Sequence, residues 1–381
     1  MSRKAVSFLV FSDDWGEHPS SCQHIFKYIV RDYPVVWVNT IGMRLPRFTL
    51  QDAKKAGKKI KRMFINASQG KSSFKLPERL SVLQPFMVPY NKGVFRKFNQ
   101  RSVIKAVRKE LARRGLSKPI LVTTVPNACD YIGAFGERRV VYYCVDDFAE
   151  WPGHEKELVL QMEKELLKKA DIFIATSEKL YRKLALEKKP IFLLPHGLDL
   201  RRFISSNNSE SARLGKIPRP RIGYVGLVDA RLDWTLLELL IERLGEVSFV
   251  FVGRSEVELR PFSRFANFYQ VGPVPYEEVP LVLQALDVLI LPYLVNEFTK
   301  TINPLKLKEY LATGKPIVAS PLPEILKWND YLLVAKTMED WERQIRRALK
   351  EAPPRVPREI LEKEDWAYKA QEFLDICLAG G

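Results

Sequence analysis

The chain is punctuated by short apolar runs that end in polar or turn-forming residues. In the first half these are "AVSFLVFS" (5–12), "PVVWVNT" (34–40), "PILVTT" (119–124), "RVVYYCVDD" (139–147), "ADIFIATS" (170–177) and "PIFLLPHG" (190–197). Each is the length of a strand, and unbroken apolar character marks a strand covered on both faces. Between them lie stretches of helical spacing, such as "SCQHIFKYIVRD" (21–32), where Ile25, Tyr28 and Ile29 share one face. Strands alternating with helices predict a parallel sheet with helices on both sides.

The pattern stops at "SSNNSESARLGKIPRP" (205–220), which is rich in Ser, Asn and Pro and has no apolar period. It reads as a linker. The pattern then restarts with "RIGYVG" (221–226), a helix at "DWTLLELLIERL" (233–244), and the runs "VSFVFVG" (247–253), "ANFYQVG" (266–272), "DVLILPY" (287–293) and "PIVAS" (316–320). The predicted organisation is an α/β chain of two doubly wound, Rossmann-like domains facing each other across a cleft. The first covers 1–204, the linker 205–220 and the second domain 221–357. A C-terminal helix, 358–381, is expected to return to the first domain, with Trp366 and Phe373 among its buried residues. Ligands of such sheets bind beyond the carboxyl ends of the strands. The loops of interest are therefore 12–20, 40–46, 124–130, 144–154, 195–203, 226–234, 253–260, 293–303 and 320–324.

Charge adds a partner class. The 381 residues carry 61 Lys and Arg against 45 Asp and Glu, a net charge of +16. Such a surface attracts phosphates. The basic residues concentrate in 54–64 and 95–115, interleaved with aromatic and aliphatic ones. These patches read either as solvated helix faces or as surfaces for an anionic membrane. No nucleic-acid motif accompanies them, so nucleic acid is not expected. The N-terminal apolar run is too short for a secretory signal. The most apolar stretch, 279–295, contains Asp287 and two prolines, whereas a bilayer span needs ~20 apolar residues. Cys22, Cys129, Cys144 and Cys377 show no metal-ligand spacing and fit a reducing compartment. A cytoplasmic protein, peripheral on the inner face of the cell membrane, is the expectation.

Four stretches can carry chemistry. In "TKTINPLKLKEYLATGKP" (299–316), Asn303 is expected to cap a helix, with Pro304 in its first turn and Gly314 at its end. Lys306 then sits where the helix dipole disfavours a cation by a few tenths of ~1 kcal/mol. A phosphate bound by the amides of Leu305 and Lys306 removes that conflict; a solvated surface lysine is the plain alternative. Glu309, one turn on, reads either as an acceptor for ribose hydroxyls or as a partner for Lys306 or Lys308. In "YVGLVDARLDW" (224–234), Gly226 ends a strand and permits close backbone approach, and Arg231 can reach a diphosphate. Arg254, after "VSFVFVG", shares that rim. In "YYCVDDFAEWPGHE" (142–155), Asp146 and Asp147 suit acid–base work or sugar hydroxyls, or one of them caps the next helix. In "LLPHGLD" (193–199), His196 is either structural or a ligand contact.

Taken together, these pieces resemble the GT-B glycosyltransferases, close to family 4. The resemblance covers nearly the whole chain. It is carried by "PHGLD…F" (195–203), "GYVG" (223–226), "VFVG" (250–253), "ALDVLILPY" (285–293) and above all "PLKLKEYLATGKPIVAS" (304–320). It implies a retaining transfer from a nucleotide-sugar donor, UDP- or GDP-linked, to a hydroxyl of a glycan or lipid-linked glycan. The subgroup makes bacterial cell-envelope and extracellular polysaccharides. No cofactor and no metal are expected. The resemblance also implies that the donor lies on the second domain and the acceptor on the first. The family motif has two glutamates separated by seven residues. Glu309 matches the second, which binds ribose, but Thr301 stands at the first. Leu227 replaces the family's arginine after the first strand of the second domain, so Arg231 and Arg254 become the candidates. Asp146 and Asp147 stand for the sugar-contacting residue of the first domain. A nucleotide-sugar epimerase of the same fold and a non-catalytic nucleotide-sugar-binding partner are the alternatives.

Overall fold

The computed structural model describes residues 6–17, 20–40, 76–88, 90–151, 153–204 and 211–379. The basic stretch 54–64 lies outside the described residues. Two parallel sheets form. The first has the order β3-β2-β1-β4-β5-β6-β7 and the second β10-β9-β8-β11-β12-β13. In chain order the first sheet is β1 Phe8–Ser12, β2 Val35–Asn39, β3 Leu80–Leu83, β4 Ile120–Thr123, β5 Arg139–Cys144, β6 Ile172–Ala175 and β7 Ile191–Leu193. The second is β8 Arg221–Val225, β9 Ser248–Val252, β10 Phe268–Val271, β11 Val288–Leu291, β12 Ile317–Ala319 and β13 Leu333–Val334.

The central strands β1, β2, β8 and β9 are buried along their whole length, as their unbroken apolar runs predict. Two strands, β3 and β13, escaped the hydrophobic pattern. Both are edge strands and only partly buried, so they need no continuous apolar run. Each sheet reverses its winding once, between β1 and β4 and between β8 and β11. Those are the crevices where doubly wound sheets hold ligands.

The chain separates into two compact units. One runs up to Leu194 and resumes at Ala370; the other is Pro195–Lys369. The change of unit thus falls before the Ser/Asn-rich stretch 205–220. Backbone bonds explain why: Leu198 N–H donates to Glu364 O (2.8 Å), Trp366 N–H donates to Leu198 O (3.0 Å), and Ser211 N–H donates to Leu281 O (3.0 Å). These bonds fasten both flanks of 205–210 to the second unit. The C-terminal segment is two helices, Arg358–Lys363 and Trp366–Leu378, rather than one. They break where Asp365 pairs with Leu198 and its carboxylate accepts from the amides of Leu200 and Ala367. Trp366 and Phe373 are both buried. Within the first unit the Phe373 ring meets Phe26 at 5.8 Å and Tyr143 at 5.3 Å, edge to face.

Candidate functional site

The winding reversal of the second sheet brings together Gly226 and Lys306, two of the residues that the sequence singled out. Gly226 directly follows β8 and Gly253 directly follows β9, with φ of +143° and +139°, a region that side chains disfavour. A Cβ on Gly253 would stand 2.0 Å from the carbonyl oxygen of Gly226. A Cβ on Gly226 would stand 1.8 Å from Cε of Lys306. The Gly226 backbone therefore forms the floor on which the Lys306 side chain lies. The ammonium of Lys306 is 5.3 Å from the ring centroid of Tyr224, a cation–π contact.

The helix Leu305–Thr313 begins at this floor. Its N-cap residue is Pro304, and no side chain caps it. The expectation that Asn303 caps the helix is thus corrected: its amide donates to Glu324 Oε2 at 3.2 Å, and both residues are buried. Leu307 N–H makes the opening bond, to Pro304 O (3.0 Å). The amides of Leu305 and Lys306 precede that bond and face out of the helix start. Uncapped amides beside an ammonium make an anion-binding geometry. The helix is anchored by Tyr310, whose hydroxyl accepts from Val225 N–H at 2.8 Å, and it closes at Gly314 in the left-handed region.

Glu309 pairs with neither Lys306 nor Lys308. Its carboxylate accepts from the Tyr276 hydroxyl at 3.0 Å. The residue is half-buried at the surface, but its carboxyl group lies among protein atoms. Desolvation pushes it up to about 7, against the opposing hydrogen bond from Tyr276 and the charge of Lys306. Tyr276 lies under the Arg202 guanidinium, 5.0 Å from ring centroid to Cζ. Sequence reasoning missed Tyr276. Its only signal was position, just beyond "GPVP" at the carboxyl end of β10, in a loop not counted among those of interest. Buried Glu324, next to Asn303, was also missed, although its loop, 320–324, was singled out.

The remaining candidates are more committed to the protein. Arg231 holds Asp229 in a two-point pair, 2.6–3.0 Å, mostly out of solvent. Arg254 pairs with Glu256 at 2.7 Å and is exposed. Thr301 is buried, and its hydroxyl proton goes to Phe298 O at 2.6 Å. His196 is buried; desolvation and the charge of Lys308 push its imidazole down to about 3, so it is neutral through the physiological range. Its carbonyl accepts from the Lys308 ammonium, which also pairs with Glu364.

In the first unit, Asp146 and Asp147 follow β5. Asp147 is buried, pairs with Lys183 at 3.1 Å, and leads into the turn Phe148–Glu150 without capping it through its side chain. Lys183 also pairs with Glu163 at 2.8 Å, so Asp147 is tied to the packing of two helices. Asp146 remains partly exposed. At the reversal itself stands a network the sequence did not disclose. Asp13 accepts from Ser12 (2.7 Å), Ser20 (2.8 Å) and Gln23, and Ser12 meets Thr124 at 2.8 Å across β1 and β4. Among the described residues, Cys129, Asp130 and Glu165 could offer ligand atoms to a metal, all within 4.8 Å. Arg96 already holds both carboxylates, at 2.6 and 2.8 Å, and burial raises the Cys129 thiol. That grouping is an ion-pair cluster.

Two doubly wound parallel domains built in this order are the GT-B fold. Residues 219–351, which contain the Gly226–Lys306 site, match the family described as Glycosyl transferases group 1. A Bacillus subtilis (strain 168) protein assigned to teichuronic acid biosynthesis as the glycosyltransferase TuaH is 26% identical over 207 residues, 50% of this chain and 52% of that protein. The alignment thus spans about half the length of that curated relative. Among solved structures, sucrose-phosphate synthase from Thermosynechococcus elongatus superposes with a TM-score of 0.69 at 14% identity, covering 97% of this chain and 98% of that one. Anabaena HepE, solved with UDP and glucose, superposes with a TM-score of 0.65 at 12% identity, covering 97% and 99%.

Proposed function

We propose that this chain is a retaining, metal-independent hexosyltransferase of cell-envelope polysaccharide synthesis. It moves a sugar from a UDP- or GDP-sugar to a hydroxyl of a glycan or lipid-linked glycan, in the cytoplasm at the inner membrane face. The observation that carries the reading is the uncapped start of the helix Leu305–Thr313, with Lys306 laid over Gly226 beside it. The family match over 219–351 and the UDP named with Anabaena HepE support the donor class.

In this reading the amides of Leu305 and Lys306 and the Lys306 ammonium hold the diphosphate and stabilise the charge that grows on it as the anomeric bond breaks. The acceptor oxygen attacks the same face, and its proton passes to the departing phosphate oxygen, so no separate strong base is required. Glu309 receives the ribose hydroxyls, with Tyr276 fixing its carboxylate. Arg231 and Arg254 flank the diphosphate. Asn303 acts indirectly, by holding the segment before the helix on Glu324. Thr301 packs that segment and His196 fixes the neighbouring loop. Asp146 and Asp147 stand on the acceptor side.

The test is product analysis with UDP- and GDP-sugars, with and without lipid-linked glycans, in chelator. Acceptor-dependent release of nucleoside diphosphate with retained anomeric configuration is expected. An epimerised nucleotide sugar formed without acceptor, or binding without turnover, would replace the reading by one of the two alternatives.

The carboxyl of Glu309 gives a pH prediction. A carboxylate accepts ribose hydrogens better than a carboxylic acid does, and this group titrates at about 7. The affinity for a UDP-sugar, whose diphosphate does not titrate near neutrality, should rise as pH increases through that value. Glu309→Gln should flatten this dependence and weaken binding about 10–100-fold at pH 8, the value of a charge-assisted hydrogen bond. Calorimetric titration at several pH values would show it. A profile for Glu309→Gln parallel to wild type would remove Glu309 from the ribose.

A further inference from the structure

We infer that the first unit carries an anionic-membrane docking surface, formed by Phe86, Tyr90 and the outer face of the helix Gly93–Arg114. At 3.6 residues per turn, Val94, Phe98, Arg101, Lys105 and Lys109 fall on one face. The opposite face holds the buried Val103, Val107 and Leu111. The helix is therefore apolar on two sides. The inner side is core, and the outer side begins with Val94 at 79% exposure, Phe95 at 48% and Phe98 at 46%.

Two more exposed aromatics complete the tip. Phe86 (49% exposed) meets Phe98 edge to face at 6.0 Å, and Tyr90 (40%) meets Phe95 at 5.8 Å. The segment bearing them is pinned. The Asn99 side chain accepts from Val88 N–H (2.8 Å) and donates to Val88 O (2.9 Å) and Tyr90 O (3.3 Å), while Ser102 donates to Phe86 O (2.7 Å). These side-chain bonds to the backbone hold the segment that presents its apolar side chains outward, as an interaction surface requires.

The charge beyond the tip selects the occupant. The only acid of the helix, Glu110, is buried and bonded to Ser81, Arg113 and Arg114. Among the described residues no carboxylate pairs with Lys97, Arg101, Lys105 or Lys109. An apolar tip followed by an unopposed basic stripe matches a bilayer edge, where the acyl boundary takes the aromatics and anionic headgroups take the cations. A phosphate backbone offers the second layer without the first. This surface holds whether or not the sugar chemistry proposed above is right.

Flotation of the full chain with phosphatidylcholine vesicles, with and without phosphatidylglycerol, tests the assignment. Recovery is expected only with phosphatidylglycerol, and is expected to fall away near 1 M salt, where the Debye length is about 3 Å. Lys97→Glu with Lys105→Glu should lower partitioning at least ~10-fold, and Phe95→Ser with Phe98→Ser about 10-fold. All four side chains are exposed, so the melting curves should stay at wild type. Because the four native cysteines are buried, an environment-sensitive dye on Val94→Cys should shift to the blue on anionic vesicles, and one on Glu359→Cys should not. Equal recovery with neutral vesicles, recovery with neither, wild-type partitioning of the charge variant, or an unshifted label at position 94 would each overturn the assignment.

Discussion

Lys306→Ala is expected to lower kcat/KM for the nucleotide-sugar donor about 10²–10³-fold, the usual loss when one donor to a developing oxyanion is removed. It should do so without loss of stability. A cation in the first turn opposes the helix dipole by a few tenths of ~1 kcal/mol, and its removal relieves that conflict. The cation–π contact with Tyr224 is about all that the fold loses. Lys306→Met, which keeps a long chain on the Gly226 floor but no charge, should lose nearly as much activity as alanine. Gly226→Ala should move activity in the same direction for a steric reason, since its Cβ would occupy the place of Lys306 Cε. Steady-state kinetics with thermal melts checks all three. Activity within twofold of wild type for both Lys306 variants would end the diphosphate assignment.

The fold was legible because parallel strands buried on both faces leave unbroken apolar runs, and each central strand did. The edge strands β3 and β13 left none, because they are only partly buried. The unit boundary was misread for a related reason. Polar composition marks exposed chain, but backbone bonds from Leu198 and Ser211 decide which unit the chain belongs to. In the candidate site, the glycine turn at Gly226 and the helix start at Leu305 and Lys306 were readable because such features are local. Glu309 was readable as a carboxylate one turn into that helix, but its partner Tyr276 lies 33 residues away and no local pattern points to it. The same limit explains Asn303. Its spacing suits a cap, yet a buried carboxylate 21 residues downstream takes its amide instead.

Lysines 306 and 308 show how far the same residue type can diverge within one turn. Lys308→Ala is expected to destabilise the protein by about 3 kcal/mol, a melting-temperature loss of roughly 6–12 °C, because it leaves the paired partners of a buried cation behind. Lys308 is 3% exposed and bonds the His196 carbonyl and Glu364, which itself is 16% exposed and also pairs with Lys369, at 3.5 Å. Removing both partners, as in Lys308→Met with Glu364→Leu, should recover only part of the loss, since it removes the stranded carboxylate but takes from buried Lys369 its partner at 3.5 Å. The pH dependence has a fixed sign. Burial lowers Lys308 from 10.5 to about 8, although Glu364 opposes it. Between those values the unfolded chain holds a proton that the folded chain has released, so wild-type stability should rise with pH across that window relative to Lys308→Met. Denaturant unfolding of both proteins at pH 7 and pH 10 measures the difference. A gap that stays constant would mean that the ammonium is solvated, and that the loop at His196 is held on the helix by packing alone.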